Sequence, residues 1–144
     1  KSNLKPCCIV IVATIRALKM HGGVEKDNLK KENIEALKKG LVNLERHINN
    51  VRKFGLPVTV AINHFVADTD KEMKVLQEEC NKINVKAIVC KHWSNGGEGT
   101  IDLAKEVFPI PNFPFRQKMS PLESKLAIFF PRTIESFSFF IMIH

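Results

Sequence analysis

Three short segments gather most of the side chains able to do chemistry in this chain. They are Thr14-Ile-Arg-Ala-Leu-Lys-Met-His-Gly-Gly23, Asn63-His-Phe-Val-Ala-Asp-Thr-Asp70 and Lys91-His-Trp-Ser-Asn-Gly-Gly-Glu-Gly99. Phe65 and Trp93 are their only aromatics, and Trp93 is the only tryptophan of the chain. Two large rings at one mouth can hold a flat heterocycle by stacking and apolar burial. Spacing alone allows equally that both rings plug the end of a sheet. Arg16 and Lys19, with His21, Gly22 and Gly23, offer an anion or nucleotide loop, and solvated loop charges are the plain alternative. Gly96, Gly97 and Gly99 make a turn that either lets backbone approach a ligand or simply precedes a helix.

Other chemistries find less support. His21, His64 and His92 fall one to a segment, but zinc sites offer local ligand pairs at tight spacing, so no metal site is expected. Ser94 and the four cysteines lack a nucleophile elbow. No Gly-x-x-x-x-Gly-Lys-Ser/Thr phosphate loop occurs in the 144 residues.

The elements that must position these segments are legible in the hydrophobic pattern. Residues 8–14 form a continuous β-branched run, as in a parallel strand buried on both faces. A loop containing His21, Gly22 and Gly23 follows. Ile34, Leu37, Leu41, Leu44, Ile48 and Val51 then recur every three or four residues, one apolar helical stripe that Gly55 stops. Leu56 to Ile62 reads as a second strand with Pro57 at its edge. Thr69 and Glu72 form a capping box, and Met73, Leu76, Cys80 and Ile83 line the helix it opens. Val85 to Cys90 is a third strand, and Thr100 to Val107 a third helix. Strand and helix alternate three times, which predicts an α/β fold built on a parallel sheet. Ligands of such sheets bind where loops leave the carboxyl ends of the strands, and all three chemical segments follow strands. Three strands leave sheet edges open, so further strands are expected in a complete protein.

Composition narrows the partners. At 44% hydrophobic and 26% charged residues the chain is globular. A net charge of +7 permits an anionic partner, but basic residues are dispersed among acids (Lys38, Lys39, Glu45, Arg46), so no nucleic-acid surface is expected. Cys7, Cys8, Cys80 and Cys90 fall in or beside apolar runs or stripes, as buried reduced thiols of a cytoplasmic protein would. No leader opens the chain and no apolar run reaches the ~18 residues of a membrane span, so no membrane partner is expected. After Val107 the composition changes: residues 108–144 hold eight of ten phenylalanines, five of seven prolines and no glycine. Residues 1–107 are therefore read as a partial α/β domain and 108–144 as an atypical tail. Its apolar end, Phe137 to Ile143, would invite aggregation if exposed.

The three segments resemble the formate–tetrahydrofolate ligase (10-formyltetrahydrofolate synthetase) family. The run Val-Ala-Thr-Ile-Arg-Ala-Leu-Lys-Met-His-Gly-Gly at 12–23 is the most specific, joined by the Asn63 segment, the Trp93 segment and the Asn-Leu-Glu-x-His-Ile stretch of the first long helix. The likeness spans roughly 6–107, with a weaker echo to about 126. It implies part of a P-loop NTPase-like three-layer domain, in a homo-oligomer. It implies that ATP, with magnesium, activates formate as formyl phosphate, which tetrahydrofolate then accepts as a formyl group. It places the family's pterin-clasping aromatics on Phe65 and Trp93. Val66 stands where the family has proline, and the family's phosphate loop lies upstream of these motifs. The resemblance therefore implies a ligase whose folate loops lie here and an isolated chain without turnover. The alternatives are a non-catalytic folate-binding module and a structural fragment.

Overall fold

The computed structural model describes residues 6–107 and 138–143, with side chains for 8–91 and 94–107. The elements run β1 (Pro6–Ala13), α1 (Ile15–His21), α2 (Ile34–Arg52), β2 (Val58–Asn63), α3 (Asp70–Lys82), β3 (Lys86–Cys90), α4 (His92–Asn95), α5 (Ile101–Val107) and β4 (Ser138–Ile143). The first three strands pair in parallel, with Ile9 opposite Val58 and Thr59 opposite Lys86. The α/β reading holds.

Each strand alternates its burial between two helix layers, the reason β1 and β2 read as unbroken apolar runs. Ile9, Ile11 and Ala13 of β1 join Val60, Ile62 and Ala87 under α1, α2 and α3, where Leu18, Leu37, Leu44, Ile48 and Leu76 close the main core. Val10, Ala61 and Cys90 face the opposite way and pack with Val12, Leu103 and Val107, so α5 covers the other face. The chain thus changes face after β3, beside the third chemical segment.

Two features differ from the sequence reading. Residues 15–21 form a helix where a loop was expected. Thr14 caps it, its hydroxyl accepting the Ala17 N–H at 3.1 Å, and Ile15, Ala17 and Leu18 are buried beneath α2. The two backbones meet through glycine: a Cβ on Gly40 would lie 1.8 Å from the Leu18 carbonyl oxygen, and one on Gly22 1.9 Å from that of Ala36. Glycine within a helix costs roughly 0.5–1 kcal/mol relative to alanine, and here the close crossing of α1 requires it.

The second difference is at the sheet edge. The sheet order is β3-β2-β1-β4, and β4 runs antiparallel to β1, with Ile9 opposite Ile141 and Val12 opposite Ser138. The apolar end of the tail therefore pairs along the edge that three strands alone would leave open, satisfying its row of amides and carbonyls. The remaining tail, including the family echo to about 126, lies outside the described residues. Among the described residues no helix is long and apolar enough to cross a membrane.

Candidate functional site

The three parallel strands deliver their carboxyl ends side by side. The His64 N–H donates to the Cys90 carbonyl at 3.1 Å, tying the end of β2 to that of β3. The Lys91 N–H donates to the Gly99 carbonyl at 3.0 Å, so the turn of Gly96, Gly97 and Gly99 folds back onto β3. Gly96 has φ +55, a left-handed conformation that favours glycine.

Phe65 follows β2 directly and is half-buried. Its loop is closed by Asp68, whose Oδ2 accepts the Phe65 N–H at 2.8 Å and whose own N–H donates to the Phe65 carbonyl at 2.9 Å. The Arg16 guanidinium, carried by the first turn of α1, lies over the Phe65 ring at 5.0 Å from its centroid. The first two sequence segments thus meet at this ring. Trp93 has its backbone in α4, at the end of the neighbouring strand, and its side chain lies outside the described residues. Val66, where the resemblance has proline, is exposed on the loop.

Lys19 sits elsewhere. It is fully buried, its ammonium 2.9 Å from Glu72 Oε1 and donating to the Lys31 carbonyl at 3.0 Å. Glu72 also accepts the Asn33 N–H at 3.0 Å and the Thr69 N–H at 3.2 Å, so one carboxylate ties α1, the start of α2 and the capping box of α3 together. Burial alone would push the Glu72 carboxyl up. The Asn33 amide, the Lys19 ammonium and the Thr69 amide outweigh it and hold the carboxyl below its ordinary value. The cation that the sequence offers to an anion is structurally committed, and Arg16 is the one at the ring. His21 is exposed at the end of α1, Gly22 is packed on α2, and Gly23 turns the chain away with φ +95.

Asp68 behaves oppositely to Glu72. Burial raises its carboxyl above the ordinary value despite the Phe65 amide, His64 and Arg16, and Glu72 adds to the rise. Its Oδ1, the Asn63 Oδ1 and the Arg16 Nε are buried with no hydrogen-bond partner among the described residues. Asn63 and Asp68 belong to the second segment, though its pattern alone does not mark them as site residues. The Asp three residues after Phe65 was the available signal, since Asx side chains close such turns. Burial pushes the Cys80 thiol up to about 12 and the Cys90 thiol to about 11, so both stay protonated and weakly nucleophilic. Among the described residues, no group of three or more His, Cys, Asp or Glu is placed to hold a metal ion.

Comparison with known proteins identifies the surroundings of this site. The profile of the family described as formate–tetrahydrofolate ligase matches residues 1–127. The formate–tetrahydrofolate ligase of Pelagibacter ubique is 70% identical over 107 residues, which are 74% of this chain and 19% of that enzyme. That of Granulibacter bethesdensis is 60% identical over the same shares, and that of Methylobacterium sp. strain 4-46 is 50% identical over 135 residues, 88% of this chain and 23% of the enzyme. The chain thus spans about a fifth of the length of the curated relatives it matches. With most of its length under the profile, and the conspicuous loops mounted at the carboxyl ends of a parallel sheet, the chain belongs to the formate–tetrahydrofolate ligase family.

Proposed function

We propose that this chain supplies the folate-binding loops of an ATP-dependent ligase joining formate to tetrahydrofolate. The observation that carries the reading is the placement of Phe65, held at the end of the central strand by Asp68 and covered by Arg16, one strand away from Trp93. A half-buried ring fixed in this way is preorganised to stack a pterin, with Trp93 as the second wall. In the whole enzyme ATP, with magnesium, converts formate to formyl phosphate. An amine nitrogen of tetrahydrofolate then attacks the formyl carbon, the C–N bond forms, the C–O bond to phosphate breaks, and the nitrogen loses its proton. What these loops contribute is orientation of that nitrogen and exclusion of water. The setting is a cytoplasmic homo-oligomer with small-molecule partners.

The direct test follows Trp93 fluorescence while the purified chain is titrated with tetrahydrofolate. Saturable quenching that weakens in Phe65→Ala supports the clasp. No response from a folded chain favours the second reading, a structural fragment. One observation favours that reading: β4 lies beyond the residues matched by the family profile, yet it occupies an edge of β1. The isolated chain is expected to form no product from ATP, formate and tetrahydrofolate, and any product dependent on all three overturns that expectation.

A further inference from the structure

The third segment carries the chain's only Asn-Gly pair, Asn95-Gly96. An asparagine amide survives until the next backbone nitrogen reaches its side-chain carbonyl carbon. Glycine at that next position removes the Cβ that would crowd the approach. The structure leaves this pair open. Residues 94–98 are exposed, and a Cβ on Gly96, which has φ +55, would meet nothing within 4 Å. Asn95 ends the four-residue helix α4, its N–H donating to the Lys91 carbonyl at 2.9 Å. One exposed turn at a helix end opens at little cost, which frees the Gly96 nitrogen. Other asparagines are guarded. Asn63 is buried, and the His64 N–H that follows it donates to the Cys90 carbonyl at 3.1 Å. Asn84 precedes β-branched, buried Val85, whose N–H donates to the Cys80 carbonyl at 3.0 Å. Asn28 precedes buried Leu29, whose N–H donates to the Lys26 carbonyl at 3.4 Å.

We propose that Asn95 is a site of spontaneous deamidation, which places a carboxylate in the third segment as the protein ages. The Gly96 nitrogen gives up its proton and attacks Asn95 Cγ. The new C–N bond forms, the bond from Cγ to the side-chain nitrogen breaks, and ammonia leaves. Water then opens the cyclic imide at either carbonyl. Opening at Cγ gives aspartate, and opening at the main-chain carbonyl gives isoaspartate, whose backbone runs through the side-chain carbons. Water is the only co-reactant. Either product adds a negative charge close in sequence to Glu98, and isoaspartate also lengthens the backbone two residues after Trp93. Deamidation therefore works against an anionic ligand at this strand end, a consequence that rests on the folate reading above.

The test ages the purified 144-residue chain in mildly alkaline buffer, where base withdraws the Gly96 amide proton, and maps its peptides by mass. The peptide carrying Asn95 should take on the mass of the acid and separate into aspartate and isoaspartate forms. Peptides carrying Asn28, Asn63 and Asn84 should keep their amides. Asn95→Gln should show no conversion at residue 95, because glutamine must close a larger ring, which forms more slowly. In a tetrahydrofolate titration followed by Trp93 fluorescence, the aged chain should bind roughly three- to tenfold more weakly than the fresh one. Aged and fresh Asn95→Gln should bind alike. An Asn95 that keeps its amide in the folded chain, while the same chain in urea loses it, overturns the proposal. So does conversion spread evenly over the asparagines. A fully converted chain that binds as well as the fresh one overturns the consequence for the ligand. No response of the fresh, folded chain to tetrahydrofolate defeats the folate reading instead, and the peptide masses alone then decide the site.

Discussion

Asp68, in the loop before α3, and Glu72, in its first turn, lie four residues apart, both are buried, and they are treated in opposite ways. Glu72 meets an ammonium and two backbone amides and is held below its ordinary value. Asp68 accepts one amide, keeps an oxygen with no partner among the described residues, and is raised. The helix start that Glu72 anchors is complete within the chain. The loop that Asp68 closes is held by its backbone bonds, and one Asp68 oxygen has no partner among the described residues. The contrast is one of partners: a satisfied network stabilises the frame, while an unpaired buried oxygen costs stability.

The largest blow to this contrast should come from the frame. Gly40→Val would drive a side chain into the Leu18 carbonyl, which is backbone of α1 and cannot swing aside. Moving α1 would displace Arg16 and Lys19 together, so both carboxylates would lose their surroundings. The expected cost exceeds about 4 kcal/mol, the range reserved for severe core disruption. In urea titration followed by circular dichroism, the cooperative transition should disappear. A variant with a normal transition would show that α1 and α2 are less tightly apposed than the glycine contacts indicate.

Next comes the satisfied carboxylate alone. Lys19→Met fills similar volume but leaves Glu72 charged and buried without its cation, which should cost about 3–5 kcal/mol. Adding Glu72→Gln removes the stranded charge and should recover part of the loss, since the two residues are in direct contact. Urea midpoints of the single and double variants measure this, and strict additivity would mean that the pair is not coupled.

Much of the frame was legible because it follows local chemistry. β-Branched runs mark strands buried on both faces, the stripe from Leu37 to Val51 marks α2, and Thr69 with Glu72 announces the start of α3. What escaped depends on partners distant in the chain. Residues 15–21 carry cations and end in glycines, which reads as loop, but Thr14 caps them and α2 accepts them at glycine contacts. Lys19 looked like a ligand cation because nothing local reveals that Glu72 lies beside it. The pairing of β4 was invisible because it depends on which edge of the sheet is open. Within the candidate site, Phe65 could be placed at a strand end from the sequence. That Asn63 and Asp68 would each keep an oxygen without a partner among the described residues could not, because pairing is a property of three-dimensional surroundings.

The smallest expected effect separates the two carboxylates by sign. Glu72 is depressed in the fold, so its contribution is present above the unfolded-state value and lost as pH falls through the folded one. Asp68 is raised, so its contribution is present below the unfolded-state value and lost as pH rises through the folded one. At neutral pH the fold therefore carries Asp68 as a burden. Asp68→Asn should stabilise the chain there by on the order of 0.5–1 kcal/mol, the usual yield when a site residue is relieved of strain. The advantage should shrink as pH falls toward the ordinary carboxylate range, where Asp68 takes up a proton, while the Lys19–Glu72 pair weakens in both proteins alike. Urea midpoints of both chains at neutral and acidic pH measure it. A variant less stable than the parent at neutral pH would mean that Arg16 and the Phe65 amide already compensate Asp68, which would then belong to the frame with Glu72.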